Sequence, residues 1–142
     1  MTTSVITAQG NKPRSILVVD DNASIRNLIA DLFNARGYVV ASAYDCASAI
    51  VLAAARAASF DIVVTDVQMP GASGFELSDA LVSGTHGPAV LFMSGSADYA
   101  RRGELPATTV HGFIAKPFSA TELLLKVEDL LAERARRKAS GR

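Results

Sequence analysis

Five short runs dominated by aliphatic residues recur along the chain, Ile16–Val19, Val39–Ala43, Ile62–Thr65, Ala89–Met93 and Gly112–Ala115. Runs this short with so few polar positions read as strands covered on both faces, which is the pattern of a parallel sheet. A parallel neighbour is reached only through a crossover, so the segments between the runs must carry helices. The third run constrains most, because it ends in Asp66 at the start of a loop that reads Val67-Gln68-Met69-Pro70. A carboxylate at the carboxyl end of a buried strand projects into the crevice where open α/β sheets hold their ligands.

The intervening segments fit helices. Asn22 is placed to cap a helix in which Ile25, Leu28, Ile29, Leu32 and Phe33 form one apolar stripe, and Gly37 ends it. Asp45 or Cys46 opens a second, alanine-rich helix with Ile50, Val51 and Ala54 expected to face inward. Ser73 and Glu76 have capping-box spacing for a third, closed by Gly84 and the Gly87-Pro88 pair. A fourth is expected within 97–105, where the stripe is poor and Gly103 and Pro106 crowd the end. Ser119 and Glu122 form a second capping box, Phe118 can staple onto Leu123, and Leu123, Leu124, Val127, Leu130 and Leu131 line one face of the last helix.

The expected fold class is therefore α/β, a flavodoxin-like (βα)5 doubly wound parallel sheet in strand order 2-1-3-4-5. At 142 residues the chain is one domain by length. Its expected organisation is a disordered polar arm over 1–15, a folded domain over 16–134 and a frayed basic tail over 135–142. Arg134, Arg136, Arg137 and Lys138 complement the dipole of the last helix there.

Fourteen Lys plus Arg balance fourteen Asp plus Glu, so no global field draws the chain to nucleic acid or to an anionic membrane. The first fifteen residues lack the apolar core of a signal peptide, and no run approaches the roughly 20 apolar residues that span a bilayer. A single cysteine, Cys46, excludes an internal disulfide and is expected to pack at a helix start. These features predict a cytoplasmic protein.

In the 2-1-3-4-5 order the ends of the first and third strands meet, so Asp20, Asp21 and Asp66 converge. Like charges held that close raise one another's pKa unless a cation is present. An oxygen-only ligand set with room for water and phosphate suits Mg²⁺ better than Ca²⁺. Lys116, after the fifth strand, brings a fixed positive charge, and Ser94, after the fourth, a hydroxyl donor. A divalent metal, an ammonium and a hydroxyl around a carboxylate are the parts that stabilise an in-line phosphoryl transfer, with Asp66 as nucleophile. Taken singly, Asp20 and Asp21 read equally well as strand-end caps. Lys116-Pro117 offers a site for a cis bond. His86 and His111 read as ordinary solvated or satisfied histidines.

The motifs VVDD, TDVQMPGASG, MSG and KPF, in this order and spacing, resemble the receiver domain of two-component response regulators over Ile16 to about Ala132. The resemblance implies that Asp66 is the phosphoacceptor, that Asp20 and Asp21 bind Mg²⁺ with Asp66 and the backbone carbonyl of Gln68, and that Lys116 contacts the phosphate. Ser94 and Phe113 would be the switch pair, with Phe at a place where Tyr is often found. Gln68 and Ser96 would tune the phosphate lifetime. It further implies a signalling module rather than an enzyme, a histidine kinase or histidine phosphotransfer protein as phosphodonor, and a monomer or weak phosphorylation-dependent dimer.

Two rivals fit less well. A Mg-dependent aspartyl-nucleophile phosphatase of the haloacid dehalogenase type needs a second acid two residues after the nucleophile, where Gln68 stands. A flavin or nucleotide module wants an anion cradle after the first strand, where Asp20 and Asp21 would repel phosphate. No effector domain is expected in the chain, which leaves a stand-alone receiver or one from a hybrid histidine kinase.

Overall fold

The computed structural model describes residues 12–55, 60–81, 87–95 and 109–141. The elements are β1 (Ser15–Val19), α1 (Ala23–Ala35), β2 (Val39–Ala43), α2 (Cys46–Ala55), β3 (Ile62–Asp66), α3 (Gly74–Leu81), β4 (Ala89–Ser94), β5 (His111–Ala115) and α4 (Ala120–Gly141). All strand pairs are parallel, in the order β2-β1-β3-β4-β5, as the aliphatic runs predict. The helix expected within 97–105, residues 1–11 of the arm, Gly84, His86 and Ser96 lie outside the described residues.

Strand alternation sends side chains to two cores. Ile16 and Val18 of β1, Ile62 and Val64 of β3, and Leu91 and Met93 of β4 pack against α1 and α4. Leu17, Val19 and Val63 pack on the other face against Cys46 and Ala49 of α2 and Leu77 of α3. The apolar runs of β1, β3 and β4 are thus satisfied from both sides, while β2, at the edge, is mostly half-buried or exposed.

Local signals set the helix ends. The Asn22 side chain accepts the Ile25 N–H, and both capping boxes close reciprocally, Ser73 with Glu76 and Ser119 with Glu122. At the end of α1, Gly37 adopts φ 86°, its N–H bonds to Asn34 O and the Tyr38 N–H bonds to Phe33 O. That is a Schellman closure, and the Tyr38 ring seals it edge-on against Phe33 at 4.9 Å.

Three expectations need correction. Leu28 is 70 % exposed, because the buried arc of α1 centres on Ile29 and Phe33 and leaves Leu28 on its flank. In α2 the inward residues are Cys46, Ala49, Leu52 and Ala53, while Ile50 and Val51 face solvent and Ala54 is exposed. The segment CASAIVLAAA is apolar all round, so it carries no period from which its phase can be read. The last helix runs on to Gly141, through the residues expected to fray, with Glu133 paired to Arg136 and Arg137 along its surface.

Arg134 does more than complement a dipole. Its Nη1 donates to Asp61 Oδ1 at 3.1 Å and its Nε to Gly87 O at 3.0 Å. Asp61 Oδ2 also accepts the Ser15 N–H. This clasp sits at the amino ends of the strands.

Candidate functional site: an acidic pocket at the strand ends

At the opposite pole the sheet order brings the ends of β1 and β3 side by side. Asp20 follows β1 and is fully buried, Asp21 next to it is exposed, and Asp66 closes β3. One carboxylate oxygen from each lies within 4.8 Å of the others. Lys116 follows β5, and its N–H bonds to Ser94 O at 2.8 Å, extending the β4–β5 pairing by one step. Its Nζ reaches back over β4 to Asp66 Oδ2 at 3.0 Å and Asp20 Oδ2 at 3.3 Å. The Lys116-Pro117 bond is cis.

The remaining oxygens are also held. Asp20 Oδ1 accepts the Asn22 N–H at 2.9 Å, and Asp66 Oδ1 accepts the Gln68 N–H at 3.2 Å. Arg26 Nη1 donates to the Asp20 carbonyl at 2.8 Å, and Thr65 Oγ1 to the Asp66 carbonyl at 3.0 Å. Neither contact was expected. The only signal for Arg26 is a cation six residues after Asp20, where α1 has turned its side chain back over the strand end.

Two of the three carboxylates, Asp66 and Asp20, share one ammonium. Burial raises the pKa of Asp66, the hydrogen bond and charge of Lys116 pull it down, and the charge of Asp20 pushes it up again; the net shift is upward. Burial opposes the Lys116 ammonium, but its hydrogen bond to Asp66 and the fields of Asp20 and Asp66 outweigh that and raise its pKa. The pocket therefore has an excess of negative charge that a cation would relieve.

The donor set fits a hard divalent ion. Oxygens around Mg²⁺ sit at about 2.0–2.1 Å and so span at most roughly 4.2 Å, close to the spread of these carboxylates. Among the described residues, Asp20, Asp21 and Asp66 are the acidic group that could hold a metal ion, and no His or Cys joins them.

Ser94 ends β4, one strand from Asp66, and is fully buried. Gln68 is exposed beside Asp66. Phe113 is 8 % exposed and lies in an aromatic stack, 5.1 Å from Phe92 and 6.2 Å from Phe75, so it is turned into the α3 side of the sheet. Cys46 is buried, as its position at a helix start suggests.

The sequence matches the response regulator receiver domain family over residues 16–128. The chain belongs to this family. Among relatives of the receiver, the chemotaxis protein CheY of Pseudomonas aeruginosa is 33 % identical over 119 residues, covering 81 % of this chain and 94 % of that protein. Hybrid signal transduction histidine kinase D of Dictyostelium discoideum is 35 % identical over 123 residues, covering 85 % of this chain. The receiver spans 8 % of that kinase and 47 % of the transcriptional regulatory protein ResD of Bacillus subtilis.

Solved structures agree on the fold. The receiver of the hybrid histidine kinase CckA matches with TM-score 0.66 and 32 % identity, covering 82 % of this chain and 98 % of that one. CheY4 of Vibrio cholerae matches with TM-score 0.71 and 30 % identity, covering 84 % and 99 %. The chain is thus a two-component receiver domain with an acidic pocket, a signalling module. Among the described residues no helix is long and apolar enough to cross a membrane.

Proposed function

We propose that this receiver, spanning 16–134, accepts a phosphoryl group on Asp66 from a histidine kinase or histidine phosphotransfer protein. The observation that carries the reading is the Lys116 ammonium seated between Asp66 and Asp20, with Asp21 completing the acidic group. In the transfer an Asp66 carboxylate oxygen bonds to phosphorus as the P–N bond of the phosphohistidine breaks, its electron pair returning to the imidazole. Asp20, Asp21, Asp66 and the Gln68 carbonyl would hold Mg²⁺, which supplies charge neutralisation for the phosphoryl oxygens. Lys116 would hold a further phosphoryl oxygen, and the Gln68 N–H fixes the rotamer of Asp66.

Ser94 is the hydroxyl one strand away that would bond the phosphate. Its engagement, with Phe113, would shift the population of the surface built by β4, β5 and α4 towards partner binding. The receiver is expected to work in the cytoplasm, as a monomer or a weak phosphorylation-dependent dimer. The test is incubation with Mg²⁺ and a small phosphodonor, read by intact mass. The protein gains one phosphate and Asp66→Asn gains none; equal labelling of both would overturn the assignment. Asp21→Ala should weaken Mg²⁺ binding, and an unchanged titration would move the metal elsewhere.

A further inference from the structure

A residue outside the acidic pocket sits against the backbone of Asp66. A Cβ added at Gly74, the first residue of α3, would lie 2.4 Å from the Asp66 carbonyl oxygen, 3.2 Å from its carbonyl carbon and 3.2 Å from Val67 Cα. Among the described residues the positive-φ glycines are Gly37 and Gly71, so Gly74 answers a need for space and not for an unusual backbone angle. Its N–H also donates to Val67 O at 2.9 Å, while the Val67 N–H donates to Met93 O at 3.0 Å. The peptide that follows Asp66 is thereby held between α3 and β4.

We propose that Gly74 is a positioning residue for Asp66: its missing side chain lets α3 start directly on the Asp66–Val67 peptide and so sets where the acceptor carboxylate stands. The inference rests on Asp66 being the acceptor. What decides it is which side yields to an added Cβ. Helix α3 is anchored by the Ser73–Glu76 capping box, by Phe75, whose ring lies 4.8 Å from that of Phe92, and by Leu77, which is fully buried. Ordinary contact begins at 3.4 Å, so the overlap of about 1 Å falls on the Asp66 peptide. That peptide carries the carboxylate held 3.0 Å from Lys116. Misplacement of a reacting group by about 1 Å can cost on the order of 100-fold in rate.

The experiment compares the parent, Gly74→Ala and Leu77→Val, which perturbs the same helix without touching Asp66. Phosphorylation by a small phosphodonor is followed across donor concentrations, corrected for the folded fraction, alongside ¹⁵N amide shifts of Val67 and Gln68. Gly74→Ala is expected to lower the maximal rate about 100-fold, leave the half-saturating donor concentration unchanged and move both amides. Leu77→Val is expected to keep the parent rate. Parent-like labelling by Gly74→Ala, or an equal loss in both variants, overturns the inference. An unlabelled parent refutes Asp66 as acceptor instead, and the amide shifts then decide the placement alone. If Gly74→Ala does not fold, the measurement is repeated in sucrose. A chain still unfolded there also overturns the inference, because Gly74 would then serve folding and not placement.

Discussion

Asp66→Asn should make the metal-free protein more stable while abolishing its chemistry. Carboxylate oxygens of Asp66, Asp20 and Asp21 lie within 4.8 Å of one another. At that separation and an effective dielectric constant near 20, the repulsion of buried Asp20 on Asp66 is about 3.5 kcal/mol, while exposed Asp21 is screened by water and adds little. Lys116, 3.0 Å away, returns about 5.5 kcal/mol on the same scale. The attraction exceeds the repulsion, so burial of the charge, the largest influence on Asp66, decides the sign and leaves the ionised form a net cost. Asparagine keeps the shape, still accepts from Lys116 and carries no buried charge, so the variant should gain on the order of 1 kcal/mol, or roughly 3 °C in Tm.

The assay is urea unfolding at pH 7 in EDTA. The sign of the pH dependence follows from the raised pKa of folded Asp66. The folded state binds this proton more readily than the unfolded one, so the penalty is complete above the folded pKa. It fades as the pH falls towards the unfolded value of about 3.9. The gap between the two proteins should therefore narrow in acid, and Mg²⁺ should narrow it at pH 7 by stabilising the parent through mass action. A variant no more stable than the parent in EDTA, or a gap that widens in acid, would refute the reasoning.

Lys116→Met should lower the phosphorylation rate by about two orders of magnitude while leaving far-UV dichroism intact; a parent-like time course by intact mass would contradict the role of the ammonium. Arg134→Ala removes two hydrogen bonds from a side chain only 12 % exposed and should cost about 2 kcal/mol, discounted for the partial exposure of Asp61. In an Asp61→Ala background the same change should cost clearly less, since the pair acts as one unit. Ser119→Ala should cost about 1 kcal/mol by opening the box at the start of α4, and a loss within error in urea unfolding would show that the cap is idle.

Much of this was legible because the relevant signals are local. An aliphatic run ending in Asp66 states both a buried strand and a carboxylate at its end, and S-x-x-E reports a helix start from four residues. Strand order then follows from crossover handedness, which is why Asp20, Asp21, Asp66 and Lys116 could be placed together from residues far apart in the chain. Two kinds of miss have a clear physical cause. Where composition is uniform, as in α2, no period exists to orient the helix, and Ile50 and Val51 were put on the wrong side. Where a contact depends on tertiary approach, as for Arg26 on the Asp20 carbonyl or Arg134 on Asp61, one exposed-looking arginine reads like another. Gly74 is of the second kind: its sequence neighbourhood shows a helix start but not the backbone pressed against it.

The contacts of Asp61 give the domain two unlike ends. Its carboxylate receives the Ser15 N–H and Arg134, its N–H donates to Ser15 O, and its carbonyl receives the Ala89 N–H. One residue thus rivets the starts of β1, β3 and β4 to the last helix. The floor of the sheet is cross-braced by neutral and charge-assisted bonds that need no ion, whereas its roof is a knot of unbalanced charge. A change in charge at the roof meets a floor already locked, so rearrangement has its cheapest route along the roof and sideways.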